Sequence, residues 1–297
     1  MNEKQWKVSK ESLVIGQAMT AGVLLEISCE PSPGLVSPNS MGAHKDMNII
    51  SFLLSSAAIA PYFSIFAEMG LNCKIDSQLL ENIRPLGIEA EKEFLNLTNQ
   101  VNTQRGILFL GGIVAAAAGY ATKTGERNMS RISEKVAVIC KGIIEKELVL
   151  MNANKKKTHG ENLYIKYGLT GIRGEVEKGL PSVREIGYPV FKNAVSNGMG
   201  INDAMVHTLL HLFSHVEDTT VASRVGIEGL KKCREASQEV LEKGGMQSNE
   251  GRRAALELDR YFIKQNISPG GCADLLAVTV GIYLMEGHSL KPESIIG

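Results

Sequence analysis

The segment RGILFLGGIVAAAAGYA, residues 105–121, decides the fold class. Its apolar positions do not alternate as in a strand. Its alanines and glycines leave little bulk between neighbouring backbones, so it reads as a helix packed closely inside a helical core. The apolar run from Ile107 to Tyr120 is too short and too rich in glycine for a membrane span.

The flanking sequence repeats this style. From Asp76 to Leu97, the residues Leu79, Ile83, Leu86, Ala90, Phe94 and Leu97 recur at spacings of three and four. Ser12 to Ser28 places Leu13, Val23, Leu24 and Ile27 on one apolar face together with Gly16, with Ile15 and Ala18 off it. Met47 to Met69 is apolar almost throughout, and Pro61 marks a kink or break. Further helices are expected at Ile132 to Leu150, Ser182 to Ser196, Ile201 to His215, Val221 to Glu242, Asn249 to Gln265 and Ala273 to Glu286. Loops are expected at Pro31 to His44, Asn99 to Thr103, Met151 to Gly160, Gly168 to Gly174, His215 to Thr219 and Ser268 to Gly271. Alternating Val/Ile/Thr runs are nearly absent. The fold class is therefore all-α, a single large bundle of about ten to twelve helices with its active site built from inter-helix loops. No Pro/Gly/Ser-rich linker divides residues 1–297, which read as one all-helical domain.

Composition narrows the function. Lys plus Arg equals Asp plus Glu at 32 each, so no global field draws in nucleic acid or an anionic membrane, and neither is expected as a partner. The five cysteines are widely spaced and contain no C-x-x-C pair, which argues against a zinc ribbon or a disulfide framework and suits a reducing cytoplasm. MNEKQWKVSKES lacks the apolar core of a signal peptide. There is no G-x-x-x-x-G-K-[ST] phosphate loop and no H-E-x-x-H. The G-x-x-G-x-x-G of Gly168, Gly171 and Gly174 follows no strand. The lysine run Lys155 to Lys157 reads as a solvated loop.

Five polar loops between apolar helices each bring a different chemistry. PSPGLVSPNSMGAHKDM (31–47) ends in His44, Lys45 and Asp46: a proton carrier, a cation and a carboxylate at a helix start, where Asp46 also suits simple capping. QVNTQRG (100–106) sets Asn102 and Thr103 before Arg105, a residue able to grip phosphate in two-pronged fashion. LTGIRGE (169–175) carries Arg173 and Glu175, which could also be a plain ion pair in a tight turn. EDTTVASR (217–224) offers Asp218 with the hydroxyls of Thr219 and Ser223 and the guanidinium of Arg224. That oxygen-rich set suits Mg²⁺, and Asp218 alone suits a helix cap. SPGGCADLL (268–276) is a turn leading to Asp274 in a first helical turn. His207, His211 and His215 share a helix face, but the leucines around them favour a core role over a metal site; His215 lies nearest the Asp218 loop.

Taken together and in this order, these segments resemble the triphosphoribosyl-dephospho-coenzyme A synthases, from about Ala18 to Leu284. The resemblance is carried by Pro33-Gly34-Leu35-Val36, Gly42-Ala43-His44-Lys45-Asp46-Met47, Arg84-Pro85-Leu86-Gly87, Val101-Asn102-Thr103, Leu169-Thr170-Gly171, Arg173-Gly174-Glu175, Val221-Ala222-Ser223-Arg224 and Ser268-Pro269-Gly270-Gly271. This chain departs from the family pattern at Ser37-Pro38, at Gln104-Arg105, at Glu217 and Thr220, and across Val225 to Glu228. The resemblance implies transfer of the triphosphoribosyl group of ATP to the ribose 2′-hydroxyl of 3′-dephospho-coenzyme A, with adenine released. The product would serve the acyl carrier protein of citrate lyase or malonate decarboxylase through a prosthetic-group transferase. A homo-oligomer is compatible with the sequence. The departures keep open a family paralogue using another nucleotide or acceptor, and a non-catalytic nucleotide-binding or carrier-protein-binding module.

That reaction has three demands. The triphosphate needs Mg²⁺ and cations, the oxocarbenium-like sugar needs a carboxylate, and two protons must move. On this reading Asp46, Asp218 and Glu175 are the Mg²⁺ ligands, with Glu175 and Asp218 also catalytic. Lys45, Arg105, Arg173 and Arg224 hold phosphates. His44 transfers a proton. Asn102, Ser223 and Asp274 bind the nucleotide. The reading requires Asp46, Glu175 and Asp218 to meet at one mouth of the bundle.

Overall fold

The computed structural model describes residues 7–73, 78–150 and 159–290, and these contain helices and no strand. Residues 1–6, Asp76 and the Lys155 to Lys157 run lie outside the described residues. The helices are α1 (Lys10–Glu26), α2 (Ile49–Asn72), α3 (Gln78–Leu97), α4 (Arg105–Lys123), α5 (Met129–Ile139), α6 (His159–Tyr167), α7 (Gly171–Glu177), α8 (Tyr188–Ser196), α9 (Ile201–His215), α10 (Thr219–Glu242), α11 (Asn249–Lys264) and α12 (Gly270–Met285).

The segment at 105–121 becomes α4, at the centre of the bundle. Cβ atoms added at Gly70 of α2 and Gly119 of α4 would overlap the carbonyl oxygens of Ala116 and Ala67 respectively. The α2–α4 crossing thus exists because side chains are missing at both positions. Helix α1 uses the same device twice, setting Gly16 against Ser64 of α2 and Gly22 against Ala277 and Gly281 of α12. One continuous core follows from Ile15 of α1 to Met285 of α12. Helices α2 and α4 are long and apolar enough to cross a membrane by length and composition alone, and most of the α4 stretch is buried inside the bundle. Both pack against other helices of the bundle.

Capping sets several boundaries. Ser9 accepts from the Ser12 N–H, and Asn48 forms a reciprocal capping box with Ser51. Pro61 does not break α2. Ala57 and Pro61 are both exposed, so the carbonyl deprived of its donor faces water. The expected face of α1 is rotated: Ile15 and Ala18 are buried, whereas Leu13 and Leu24 are 45% and 38% exposed, because the Gly16 and Gly22 contacts fix which side meets α2 and α12.

The expected helix from Ile132 to Leu150 divides into α5 and one π-helical turn, Glu145–Val149, with Gly142 at φ +78° between them. Gly171 to Gly174, expected as loop, opens the short helix α7. Helix α10 carries a break at Gly226 (φ 74°, ψ −178°), inside the 225–228 stretch that departs from the family pattern.

Candidate active site

The loops at one end of the bundle enclose two cavities. The first, of about 440 Å³, lies between α7, the 215–218 loop and the starts of α4, α10 and α12. The second, of about 480 Å³, lies between the end of α1, the 35–47 loop and the same three helix starts. Gly106, Thr220 and Asp274 line both, so the cavities are two lobes of one cleft divided at these residues.

Asp218 builds the divider. It is 3% exposed and caps α10: Oδ1 accepts from the N–H groups of Thr220 (2.8 Å) and Val221 (3.2 Å), and Oδ2 accepts from Cys272 N at 2.8 Å. The Thr220 hydroxyl also reaches Asp218 and accepts from Gly270 N at 3.0 Å. One carboxylate therefore pins the start of α10 to the start of α12. Deeper in the first lobe, Glu175 accepts from Ser182 N (3.2 Å) and Ser182 Oγ (2.5 Å). Burial raises its carboxyl above the ordinary value, opposed by those hydrogen bonds. Lys178, Arg234 and His215 supply the basic side of this lobe, and Arg234 is oriented by a hydrogen bond to Ser214 O at 3.2 Å.

The second lobe has a polar rim and an apolar interior. On the rim, Arg224 donates to Ala43 O (3.0 Å) and to His44 Nδ1 (3.1 Å), and His44 Nε2 lies 2.8 Å from Ser268 Oγ. Burial, and then the Arg224 charge, push the His44 imidazole down to about 4 against the pull of Asp46, so His44 is neutral at pH 7. Arg105 also faces this lobe and is held by Glu91, with Nε to Oε1 at 2.8 Å. Asn102 Oδ1 accepts from Arg105 N and closes the first turn of α4. Ser223 lines the rim and donates to Thr220 O. Inside are Val23, Ile27, Leu35, Val36, Phe52 and Ile107, and among them Glu26. Burial raises the Glu26 carboxyl to about 8. Burial, followed by Glu26 and Asp218, raises that of Asp274 well above its ordinary value.

Comparison with known proteins places the chain in a family. The model of the family described as ATP:dephospho-CoA triphosphoribosyl transferase matches residues 12–293. The chain belongs to this family of transferases.

Among its relatives, the "Probable 2-(5′′-triphosphoribosyl)-3′-dephosphocoenzyme-A synthase" of Malonomonas rubra is 39% identical, over 98% of this chain and 93% of that one. The 2-(5′′-triphosphoribosyl)-3′-dephosphocoenzyme-A synthase of Klebsiella pneumoniae is 37% identical, over 96% and 94%. A solved structure of an Archaeoglobus fulgidus chain named for the same activity aligns at a TM-score of 0.47 and 20% identity, over 79% of this chain and 99% of that one.

The expected site residues line the cleft with three exceptions. Lys45 and Asp46 are exposed and line neither lobe; Asp46 lies 3.9 Å from His44 on the outer side. Arg173 also lines neither lobe. Its Nε donates to Glu147 Oε2 at 2.7 Å, a carboxylate it shares with Arg84. The expected meeting of Asp46, Glu175 and Asp218 is therefore partial: two acids share a lobe and the third stands outside it. Moreover, both oxygens of Glu175 and of Asp218 already accept hydrogen bonds, and no three His, Cys, Asp or Glu groups among the described residues converge as a metal cage. This set does not fit a resident Mg²⁺ ion. His207 and His211 pack ring to ring at 4.9 Å, the first buried and the second half-buried, and of the three only His215 lines the cleft.

Two of the family departures have visible consequences. Ser37 is buried and donates to Glu30 Oε1 at 2.8 Å, bracing the 31–47 loop. Gln104 is buried in the wall of the second lobe and donates to Ser56 Oγ at 2.9 Å. Sequence reasoning missed Glu26, Lys178 and Arg234. Only Glu26 carried a signal, a lone acid within the apolar run VLLEI at 23–27.

Proposed function

We propose that this transferase moves the triphosphoribosyl group of ATP onto the ribose 2′-hydroxyl of 3′-dephospho-coenzyme A and releases adenine. The observation that carries the reading is the divided cleft, with two lobes of similar volume meeting at Gly106, Thr220 and Asp274. A transfer between two nucleotides needs two adjoining sites, with the reacting atoms held at their common edge. ATP occupies the second lobe with its phosphates toward Arg224 and Arg105. The acceptor occupies the first lobe with its phosphates toward Lys178 and Arg234. Mg²⁺ arrives with the triphosphate, because the protein's own acids are committed elsewhere. Asp274 stands at the edge, where the oxygens of its carboxyl face the positive charge growing on the sugar. The product is the precursor of the prosthetic group of a citrate lyase or malonate decarboxylase acyl carrier protein.

The test is incubation with Mg-ATP and 3′-dephospho-coenzyme A, read by mass spectrometry. Free adenine and a coupled triphosphoribosyl product, each dependent on both substrates, are expected. ATP binding without adenine release, or adenine release with a different acceptor only, would refute the reading.

A further inference from the structure

Glu26 is the last residue of α1 and only 7% exposed, yet no described residue offers it a hydrogen bond or an ion pair. It faces the apolar interior of the second lobe. An ionised carboxyl is costly there, and the group keeps its proton where an exposed glutamate would have lost it. A second polar group in the same lobe is also left over: the Thr103 hydroxyl is buried with no partner. Apolar walls, one protonated acid and one spare hydroxyl match the faces and ring nitrogens of a purine.

We propose that the interior of the second lobe holds the purine of the donor nucleotide, and that Glu26 is the general acid that protonates the departing adenine. This rests on the transfer reaction assigned above. The bond between C1′ of the ATP ribose and N9 breaks, and its electron pair leaves with the purine, which takes the Glu26 proton. The acceptor 2′-oxygen forms the new bond to C1′ and releases its proton, made acidic by the positive charge it gains, to water in the cleft. Glu26, left ionised when the purine takes its proton, is reprotonated from that water, so the step begins and ends with the same proton count. The other titratable or charged groups facing Glu26 are Asp274, His44, Arg105 and Arg224 around the lobe and the Cys29 thiol beside it.

The experiment compares ATP with N7-methylated ATP, whose base departs as a neutral molecule and needs no proton. For the wild-type chain, the rate with ATP should fall as pH rises past about 8, while the rate with the methylated donor should not. Glu26→Gln should slow adenine release from ATP on the order of 100-fold or more and leave release from the methylated donor within a few-fold of wild type. A Glu26→Gln chain at full rate with ATP overturns the role, as does a wild-type alkaline limb identical for both donors. A wild-type chain that releases no adenine from ATP and 3′-dephospho-coenzyme A overturns the transfer reaction itself, and the acid with it.

Discussion

The carboxylate of Asp274 occupies the space that a side chain on Gly106 would fill: a Cβ added to Gly106 would overlap Asp274 Oδ2. Gly106 lies in the first turn of α4 and Asp274 in the first turns of α12, so the missing methyl group lets the acid reach the divide between the lobes. Gly106→Ala therefore separates two effects. Within a helix the exchange should stabilise by roughly 0.5–1 kcal/mol, so the fold is expected to survive. Displacing Asp274 by even about 1 Å should lower adenine release on the order of 100-fold. Urea unfolding and steady-state rates measured together decide it. A variant with unchanged turnover would show that the position of Asp274 does not matter.

Asp218 offers a different trade. As an N-cap that also holds Cys272 N, it has acceptors in use on both oxygens. Asp218→Asn replaces one acceptor with an NH₂ group, which then confronts a backbone N–H. The expected cost is about 1–3 kcal/mol of stability, together with a loss of turnover as the starts of α10 and α12 separate. Equilibrium unfolding checks this. An unchanged midpoint alongside abolished turnover would point instead to direct contact with substrate or metal.

The lobes should respond separately to loss of their cations. Arg234 lines the first lobe and Arg224 the second. Arg234→Gln should raise the KM for 3′-dephospho-coenzyme A and leave that for ATP nearly unchanged, and Arg224→Gln should do the reverse, each roughly 10-fold or more for a charge-assisted contact. Crossed effects would exchange the assignment of the substrates to the lobes.

Much of the fold was legible because helical periodicity is a local signal. Ile201 to His215 was read with both ends correct, and α4 announced its close packing through its small residues. What failed was long-range. Arg173 and Glu175 are neighbours in sequence, yet the first is drawn to Glu147 and the second to Ser182, so only one faces the cleft. Asp46 looked like a ligand beside His44, but that loop is closed by the Ala43 N to Gly34 O hydrogen bond, which leaves the carboxylate outside. Glu26 became a site residue only when α12 and the 31–47 loop folded over it, and nothing within a few positions of it encodes that enclosure.

Enclosure gives Glu26 a signature in stability, with a definite sign. Its folded carboxyl is raised from the ordinary 4.5 to about 8. Between those values the folded chain carries a proton that the unfolded chain has released, so unfolding releases a proton and stability falls as pH rises. The contribution is fully present below about pH 4.5 and is lost by the time pH has passed about 8. Glutamine does not titrate, so Glu26→Gln should match the wild type near pH 5 and exceed it by a few kcal/mol, roughly, at pH 9. His44 contributes the opposite trend on the acid side: its lowered pKa makes stability fall as pH drops from 6.5 toward 4 in both chains, so the difference between them reports Glu26 together with its coupling to Asp274. Urea unfolding of both chains at pH 5, 7 and 9 measures that difference. A gap that stays constant with pH would mean that Glu26 is already ionised in the folded protein, and it could not then supply a proton to a leaving purine.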